Sequence, residues 1–322
     1  MNTYLWKANK QKLSEANLSS YSKFIKQNFG FDAKHDFNKL WKWTVDNPEF
    51  FWKSIWKFTK VKGILGQTVL QKSDIFYKNK FFPDAKINYA ENLLKKNNTE
   101  SAIIFKSENG YKTTLNWKEL NDNVATLSKW MKLNNINKGD RVAAYLPNIP
   151  ETVIAYIATT TLGAIWSSCS PDFGATGVID RFSQIEPKIL FVADRYFYGG
   201  KIIHYNERIR EVRAELNSIQ EVVVLPYDSS NPLIKLEKGF KSLAEFIGSY
   251  APEDIEFERF DFNHPLYILF SSGTTGVPKC IVHGAGGTLV QHLKDHILQT
   301  DVKSGDRIFY FTTLGWMMWN WL

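Results

Sequence analysis

Short apolar runs and longer amphipathic segments alternate along the chain between about residues 100 and 225. The apolar runs predict buried strands, which are Ala102–Phe105, Val142–Leu146, Ile165–Ser168, Ile189–Val192 and Val222–Leu225. Apolar residues at helical spacing predict the intervening helices, which are Asn116–Leu133, Pro150–Leu162, Ala175–Gln184 and Asn206–Leu216. This alternation predicts an α/β fold in which a mostly parallel sheet carries helices on both faces.

Local signals mark several ends of these elements. Asn116 and Glu119 form a capping-box pattern at the start of a helix. Gly163 is placed to end another helix, since glycine readily adopts the left-handed conformation there. The related sequences at 139–142 and 305–308, Gly-Asp-Arg followed by Val or Ile, predict two turns that each launch a strand.

The first 80 residues have a different character, being rich in lysine and aromatic residues. Pro48, preceded by Asn47 and followed by Glu49, predicts the start of a helix. The apolar residues that would share one face of this helix are Phe51, Trp52, Ile55 and Trp56. We expect this face to pack within the protein, with adsorption to a membrane surface as the alternative.

A loop of unusual composition follows the apolar run Leu266–Phe270. Its members are Ser271, Ser272, Gly273, Thr274, Thr275, Gly276, Val277, Pro278 and Lys279. Glycines allow close backbone approach, and successive N–H groups in such a loop can surround an anion. The hydroxyls add donors, and Lys279 adds a compact positive charge. The loop therefore predicts a site for the phosphates of a nucleotide.

Three other kinds of loop share part of this pattern. A Walker A loop requires Gly-Lys-Ser/Thr at the start of a helix, whereas here Pro278 precedes the lysine and Cys280 follows it. An amidase with a Ser-Ser-Lys centre is not favoured by Phe270 or by the two threonines at 274–275. A flexible surface turn remains the plain structural alternative.

Composition narrows the possible partners. The chain has 322 residues, 44% of them hydrophobic, and a net charge of +7. Only eight of the 40 basic residues are arginine and the lysines are scattered, so no nucleic-acid partner is expected. The longest apolar stretch, residues 153–166, is too short for a membrane span, so no membrane association is expected. Cys169 and Cys280 show no metal or redox spacing and fit a reducing cytoplasm.

Three segments carry a resemblance to a known family. The loop 271–279 resembles the phosphate-binding signature of the adenylate-forming superfamily, which includes acyl-CoA synthetases, luciferases and peptide-synthetase adenylation domains. Residues 163–174, Gly-Ala-Ile-Trp-Ser-Ser-Cys-Ser-Pro-Asp-Phe-Gly, resemble its second core region. Residues 312–320, Thr-Thr-Leu-Gly-Trp-Met-Met-Trp-Asn, resemble the segment that lines its acid pocket. Together with Ile281-Val282-His283-Gly284, these last two segments most resemble the branch of the superfamily whose substrate acid is acetoacetate.

The resemblance implies an ATP-dependent acid–CoA ligase that works through an acyl-adenylate, with ATP, Mg²⁺ and coenzyme A as cofactor and co-substrates. Ser271 to Lys279 would hold the β- and γ-phosphates, and Thr275 would lie close to the phosphates and Mg²⁺. Lys279 and Thr275 are therefore the expected catalytic residues, and no protein metal site is expected. Gly315, Trp316 and Met317 would line the acid pocket, where Trp316 would limit acid size.

The resemblance also implies a domain division. Residues 1–80 would form an aromatic-rich N-terminal cap, and residues 81–322 the first half of the large adenylation domain, truncated at its C-terminus. The family's adenine and ribose elements and its mobile C-terminal domain would lie beyond Leu322, as a missing C-terminal half. The chain alone is therefore expected to be inactive. A non-catalytic nucleotide-binding module and an amidase-like hydrolase are the alternatives.

Overall fold

The computed structural model describes residues 6–34, 36–232, 240–243, 250–271 and 276–322. Two compact units are present. The first contains Met1–Ile87, Asp261–Asn263 and Gly286–Phe309, and the second contains Asn88–Phe260, His264–Ala285 and Tyr310–Leu322.

The described residues form helices and strands along most of the chain. The helices are α1 (Lys10–Glu15), α2 (Asn17–Phe29), α3 (Phe37–Asp46), α4 (Pro48–Phe58), α5 (Tyr89–Leu93), α6 (Trp117–Leu133), α7 (Pro150–Thr161), α8 (Ala175–Phe182), α9 (Asn206–Glu215), α10 (Ala285–Lys294) and α11 (Met317–Trp321). A 3₁₀ turn spans Phe76–Lys78, and a π-helical turn, Asp295–Gln299, follows α10.

The strands of the described residues are numbered along the chain. They are β1 (Leu70–Gln71), β2 (Lys80–Phe81), β3 (Lys86–Ile87), β4 (Ser101–Lys106), β5 (Lys112–Asn116), β6 (Arg141–Tyr145), β7 (Ile165–Cys169), β8 (Ile189–Ala193), β9 (Tyr196–Tyr198), β10 (Lys201–Ile203), β11 (Glu221–Leu225), β12 (Phe240–Ser242), β13 (Phe260–Asp261), β14 (Pro265–Phe270) and β15 (Cys280–Gly284).

The first unit is built mainly from helices around an aromatic core. Helix α4 begins at Pro48 with Asn47 as its N-cap, as predicted, because proline lacks the N–H that the first helical turn leaves unpaired. Ile55 is fully buried and Trp56 is 5% exposed, so the predicted apolar face of α4 packs inside the protein. The Phe82 ring lies 5.3 Å from that of Trp56.

The second unit contains a seven-stranded sheet in the order β12-β11-β8-β6-β7-β14-β15. Neighbours from β12 to β14 run parallel, and β15 alone is antiparallel, pairing with β14 at the edge of the sheet. Every residue of β7 and β8 is buried, which is typical of strands covered on both faces. The predicted mostly parallel α/β fold is therefore confirmed.

One predicted strand lies outside this sheet. Residues 102–105 form part of β4, which pairs antiparallel with β5 in a separate two-stranded ribbon. The connection is a tight turn in which Gly110 has φ +88°. Antiparallel pairing needs only such a turn, whereas joining the parallel sheet would need a long crossover.

Two predicted helix ends are confirmed. The Glu119 N–H donates to Asn116 Oδ1 at 2.8 Å, and the Asn116 N–H donates to Glu119 Oε2 at 2.8 Å, which completes the capping box. Gly163 follows α7 with φ +68°, and a Cβ at this position would lie 2.5 Å from the Phe260 ring. Glycine is therefore required both by the backbone conformation and by the neighbouring ring.

The strand predicted after Gly305 is wrong. A turn forms there, with the Lys303 N–H donating to Asp306 Oδ2 at 2.8 Å, but residues 306–313 contain no strand. Phe309 is 84% and Phe311 is 88% exposed, and no described segment pairs with them. The turn at Gly139 does launch a strand, β6, because β7 and β8 supply hydrogen-bonding partners on both sides.

Candidate phosphate and acid site

The described parts of the three segments that carry the sequence resemblance follow, or lie against, the carboxyl ends of parallel strands. Strands β6, β7, β8, β11 and β14 run parallel, so the loops that follow them lie at the same carboxyl edge. In α/β sheets, ligands bind at this edge. The predicted phosphate loop follows β14, and the segment resembling the second core region runs out of β7 at the same edge.

The predicted phosphate loop is the connection of a β-hairpin. Phe270 of β14 pairs with Cys280 of β15. Beyond this pair, the Ser271 N–H donates to the Lys279 carbonyl at 3.0 Å, and the Lys279 N–H donates to Ser271 Oγ at 3.2 Å. The loop is followed by a strand rather than a helix, which agrees with the rejection of a Walker A loop.

The described part of the loop presents its lysine to solvent. Val277 is 61% exposed and Lys279 is exposed, whereas Pro278 between them is buried. Lys279 forms no ion pair with any described residue, so its positive charge is available to an anionic ligand. Ser272, Gly273, Thr274 and Thr275 lie outside the described residues, and their predicted roles in binding phosphate stay predictions.

The segment predicted to line the acid pocket lies against the ends of β6 and β7. Gly315 has φ +89°, and a Cβ there would lie 3.2 Å from the Ser168 carbonyl oxygen of β7. Trp319 Nε1 donates to Oδ1 of Asn148, which lies just beyond β6, at 3.0 Å. Trp316 and Met317 are 67% and 47% exposed. The roles of Gly315, Trp316 and Met317 as a substrate pocket stay predictions.

Two side chains from neighbouring elements fix the segment after β7. The Tyr145 hydroxyl, at the end of β6, donates to the Phe173 carbonyl. Arg208 Nη1, from α9, donates to the Pro171 carbonyl at 3.0 Å. Burial raises the pKa of Tyr145 to about 12, so the phenol stays protonated and remains a donor at neutral pH.

Arg181, near the end of α8, brings a positive charge to this edge that sequence reasoning missed. Its guanidinium lies 4.6 Å from the Phe173 ring centroid and 5.9 Å from that of Phe270, the last residue of β14. Nη1 donates to the Gly177 carbonyl at 2.6 Å. The available signal was that Arg181 is one of only eight arginines in a lysine-rich chain.

Glu151 was also missed. It lies in the first turn of α7, close to the carboxyl end of β6. Burial raises the pKa of its carboxyl from 4.5 to about 7, although its own backbone N–H favours the charged form. A carboxyl at this edge therefore changes its charge near neutral pH.

Two further observations concern metal ions and membranes in the described ranges. No cluster of three or more histidine, cysteine, aspartate or glutamate side chains is arranged there to hold a metal ion. Nor does any described helix combine the length and apolarity that a membrane span requires.

Comparison with known proteins defines the class. The profile of a family described as AMP-binding enzyme matches residues 91–321, which is most of the chain. The chain therefore belongs to the AMP-binding enzyme family, and the resemblance predicted from its motifs is confirmed.

Individual relatives narrow the likeness further. Acetoacetyl-coenzyme A synthetase of Rhizobium meliloti (strain 1021) is 44% identical over 99% of this chain and 49% of the relative. Malonamoyl-CoA synthetase vrtB of Penicillium aethiopicum is 33% identical over 99% of the chain and 46% of the relative. The solved structure of acetoacetyl-CoA synthetase from Streptomyces lividans matches with a TM-score of 0.92 and 36% identity, covering 99% of this chain and 49% of that one. The chain thus spans about half the length of the relatives it matches.

Proposed function

We propose that this chain provides the nucleotide-phosphate loop and the first part of the acid pocket of an ATP-dependent acid–CoA ligase that acts on acetoacetate. One observation carries the proposal. The described residues at the two ends of the hairpin loop, including Lys279, which forms no ion pair with any described residue, lie at the carboxyl edge of the sheet, where Gly315 approaches the end of β7.

The proposed reaction has two steps. A carboxylate oxygen of acetoacetate attacks the α-phosphorus of ATP, the bond to the β-phosphate oxygen breaks, and pyrophosphate leaves. The thiol of coenzyme A then attacks the acyl carbon, loses its proton and expels AMP, which yields acetoacetyl-CoA. Such phosphate chemistry depends mainly on positioning and charge stabilisation, which a hairpin loop and an exposed lysine can supply.

Each proposed partner, namely Mg²⁺, acetoacetate and the C-terminal half, rests on a different observation. We assign Mg²⁺ to the phosphates of ATP, as the similarity to the AMP-binding enzyme family implies. The relatives' names agree on acid–CoA ligation but differ in the acid, so acetoacetate is the finer part of the proposal. The missing C-terminal half is proposed as the remaining partner, because the relatives are about twice as long.

A cytoplasmic location and a division near residue 80 complete the proposal. Cys169 and Cys280 are both free, which fits a reducing compartment. The aromatic-rich residues 1–80 and the adenylation-type residues 81–322 are proposed as separate domains, because their compositions differ and the family profile begins at residue 91.

Nucleotide binding is the direct test of the loop. We expect the 322-residue chain to bind MgATP, and Lys279→Ala to weaken binding roughly 10- to 100-fold, since a charge-assisted hydrogen bond contributes about 1.5–3 kcal/mol. The thermal midpoint should barely change because Lys279 is exposed. Lys112→Ala, at an exposed position of β5, is the matched control. Equal dissociation constants for the two variants would remove the loop from the proposal.

Activity can be tested by complementation. The chain is mixed with the half of the Rhizobium meliloti relative that it does not cover, and ATP–pyrophosphate exchange is measured with acetoacetate or butyrate. We expect exchange to require both halves and to be faster with acetoacetate. Preference for another acid would leave the ligase assignment standing and overturn the choice of acetoacetate.

A further inference from the structure

We propose that Gln184 and Arg181, in and just beyond the last turn of α8, form a brace that positions the phosphate loop. Both are positioning residues, and their assignment rests on the proposed function of that loop. The brace connects β14 and β15, the two strands of the hairpin, to α8, the helix that follows β7.

Gln184 binds the residues at the end of the loop and the start of β15. Its Nε2 donates to the Pro278 carbonyl at 2.8 Å and to the Asp180 carbonyl of α8 at 2.7 Å. The thiol of Cys280 donates to Oε1 at 3.6 Å. Burial raises the pKa of Cys280, which keeps the thiol protonated as a donor. The amide of Gln184 therefore uses both its donor hydrogens and its oxygen to connect α8 to residues 278–280.

Arg181 contacts the end of β14, directly before the loop. It lies three residues before Gln184, so the two side chains share one side of the helical turn. Its guanidinium lies over the ring of Phe270, where β14 ends, and over the ring of Phe173. One short element thereby touches the residues on both sides of the loop.

The brace links the loop to the segment after β7. Helix α8 starts at Ala175, directly after residues 170–174. The side chains of Tyr145 and Arg208 donate hydrogen bonds to backbone carbonyl oxygens of this segment. A ligand bound by the loop is therefore kept at a fixed position relative to groups at the end of β7. Alignment of this kind matters because a misplacement of about 1 Å can reduce a rate roughly 100-fold.

The experiment substitutes Gln184 in two ways. Gln184→Glu keeps the size but places a carboxylate opposite the Pro278 carbonyl, and Gln184→Met removes the polar contacts without adding charge. We expect Gln184→Met to weaken binding of MgATP and of inorganic pyrophosphate roughly three- to tenfold, and Gln184→Glu to weaken it more. Gln220→Glu, an exposed change before β11 at the opposite edge of the sheet, is the matched control and should bind normally.

Arg181 is tested by Arg181→Lys, which retains the charge and removes the planar group. Since lysine cannot reproduce the contacts of the planar guanidinium with the rings of Phe173 and Phe270, we expect binding to fall at least threefold. Hydrogen exchange of the ligand-free variants provides a separate measurement. Amides from Lys279 to Ile281 should exchange faster in Gln184→Met, while those of β8 stay unchanged.

The outcomes separate the brace from the function it serves. Normal affinity and normal exchange in both Gln184 variants would overturn the brace. An equal fall in thermal midpoint and affinity for Gln184→Glu and Gln184→Met would also overturn it, since that result indicates a general folding role. If the wild-type chain binds neither MgATP nor pyrophosphate, the proposed function fails, and the exchange measurement alone still decides whether Gln184 holds the hairpin.

Discussion

Replacing Glu151 by glutamine should stabilise the protein at alkaline pH and leave it unchanged at acidic pH. The carboxyl is half-buried in the first turn of α7, and no described side chain forms an ion pair with it. Burial disfavours the charged form and raises its pKa from 4.5 to about 7. Glutamine has nearly the same shape and carries no charge, so the substitution removes only the cost of ionisation.

The sign and size follow from the two pKa values. Below pH 4.5 the carboxyl is protonated in both the folded and unfolded chain, and its environment imposes no cost. As the pH rises from 4.5 to about 7, the unfolded chain ionises first and stability falls. Above this range the loss is constant at about 3 kcal/mol, taken as an upper bound. For a unit of this size that corresponds to roughly 6–12 °C in the thermal midpoint.

The assay is thermal unfolding of wild type and Glu151→Gln in matched buffers from pH 4 to 8.5. The difference between the two midpoints is the measured quantity, because all other titrating groups cancel. Glu207→Gln, which changes an exposed glutamate in the first turn of α9, is the control and should show only a small difference. A Glu151→Gln difference that stays flat across the pH range would refute the reasoning.

Two further predictions concern the cysteines and the acid pocket. In the native chain, a maleimide should label Cys280 and spare Cys169, because Cys169 is 1% exposed and burial raises its pKa to about 12. Mass spectrometry should count one adduct on the native chain and two on the denatured chain. Early labelling of Cys169 would contradict the packing of β7. In the complemented enzyme, Trp316→Gly should shift the ratio of kcat/KM from acetoacetate towards a six- to eight-carbon acid, because a tryptophan at a pocket wall excludes longer chains by volume. An unchanged ratio would mean that Trp316 does not set acid size.

Much of the fold could be predicted because its signals are local. The capping box at Asn116 and Glu119 involves residues three apart, and the end of α7 at Gly163 depends on one backbone conformation. The loop between β14 and β15 was also predictable, since its composition and the strands on either side are contiguous in sequence, and its binding of phosphate stays a prediction. Its order and spacing distinguished it from a Walker A loop before any geometry was known.

Other features depended on neighbours that local patterns do not specify. The turn sequence at 305–308 predicted that a strand would follow, but a strand requires a hydrogen-bonding partner, and no described segment provides one. The run at 102–105 became a strand outside the main sheet because β5 was the nearest partner. Apolar pattern thus indicated burial or extension, whereas pairing decided whether and where a strand formed.

By itself, the sequence determined the α/β class and the order of elements and predicted a phosphate loop at 271–279, since these follow from short-range periodicity, capping and turn chemistry. Only the tertiary structure decided which side chains surround that loop. Gln184 meets Pro278 across 94 residues of chain, and Arg208 reaches Pro171 across 37. The raised pKa of Glu151 likewise depends on the packing around α7. Such contacts arise when a parallel sheet brings distant loops to one edge, and no pattern within a single segment encodes that proximity.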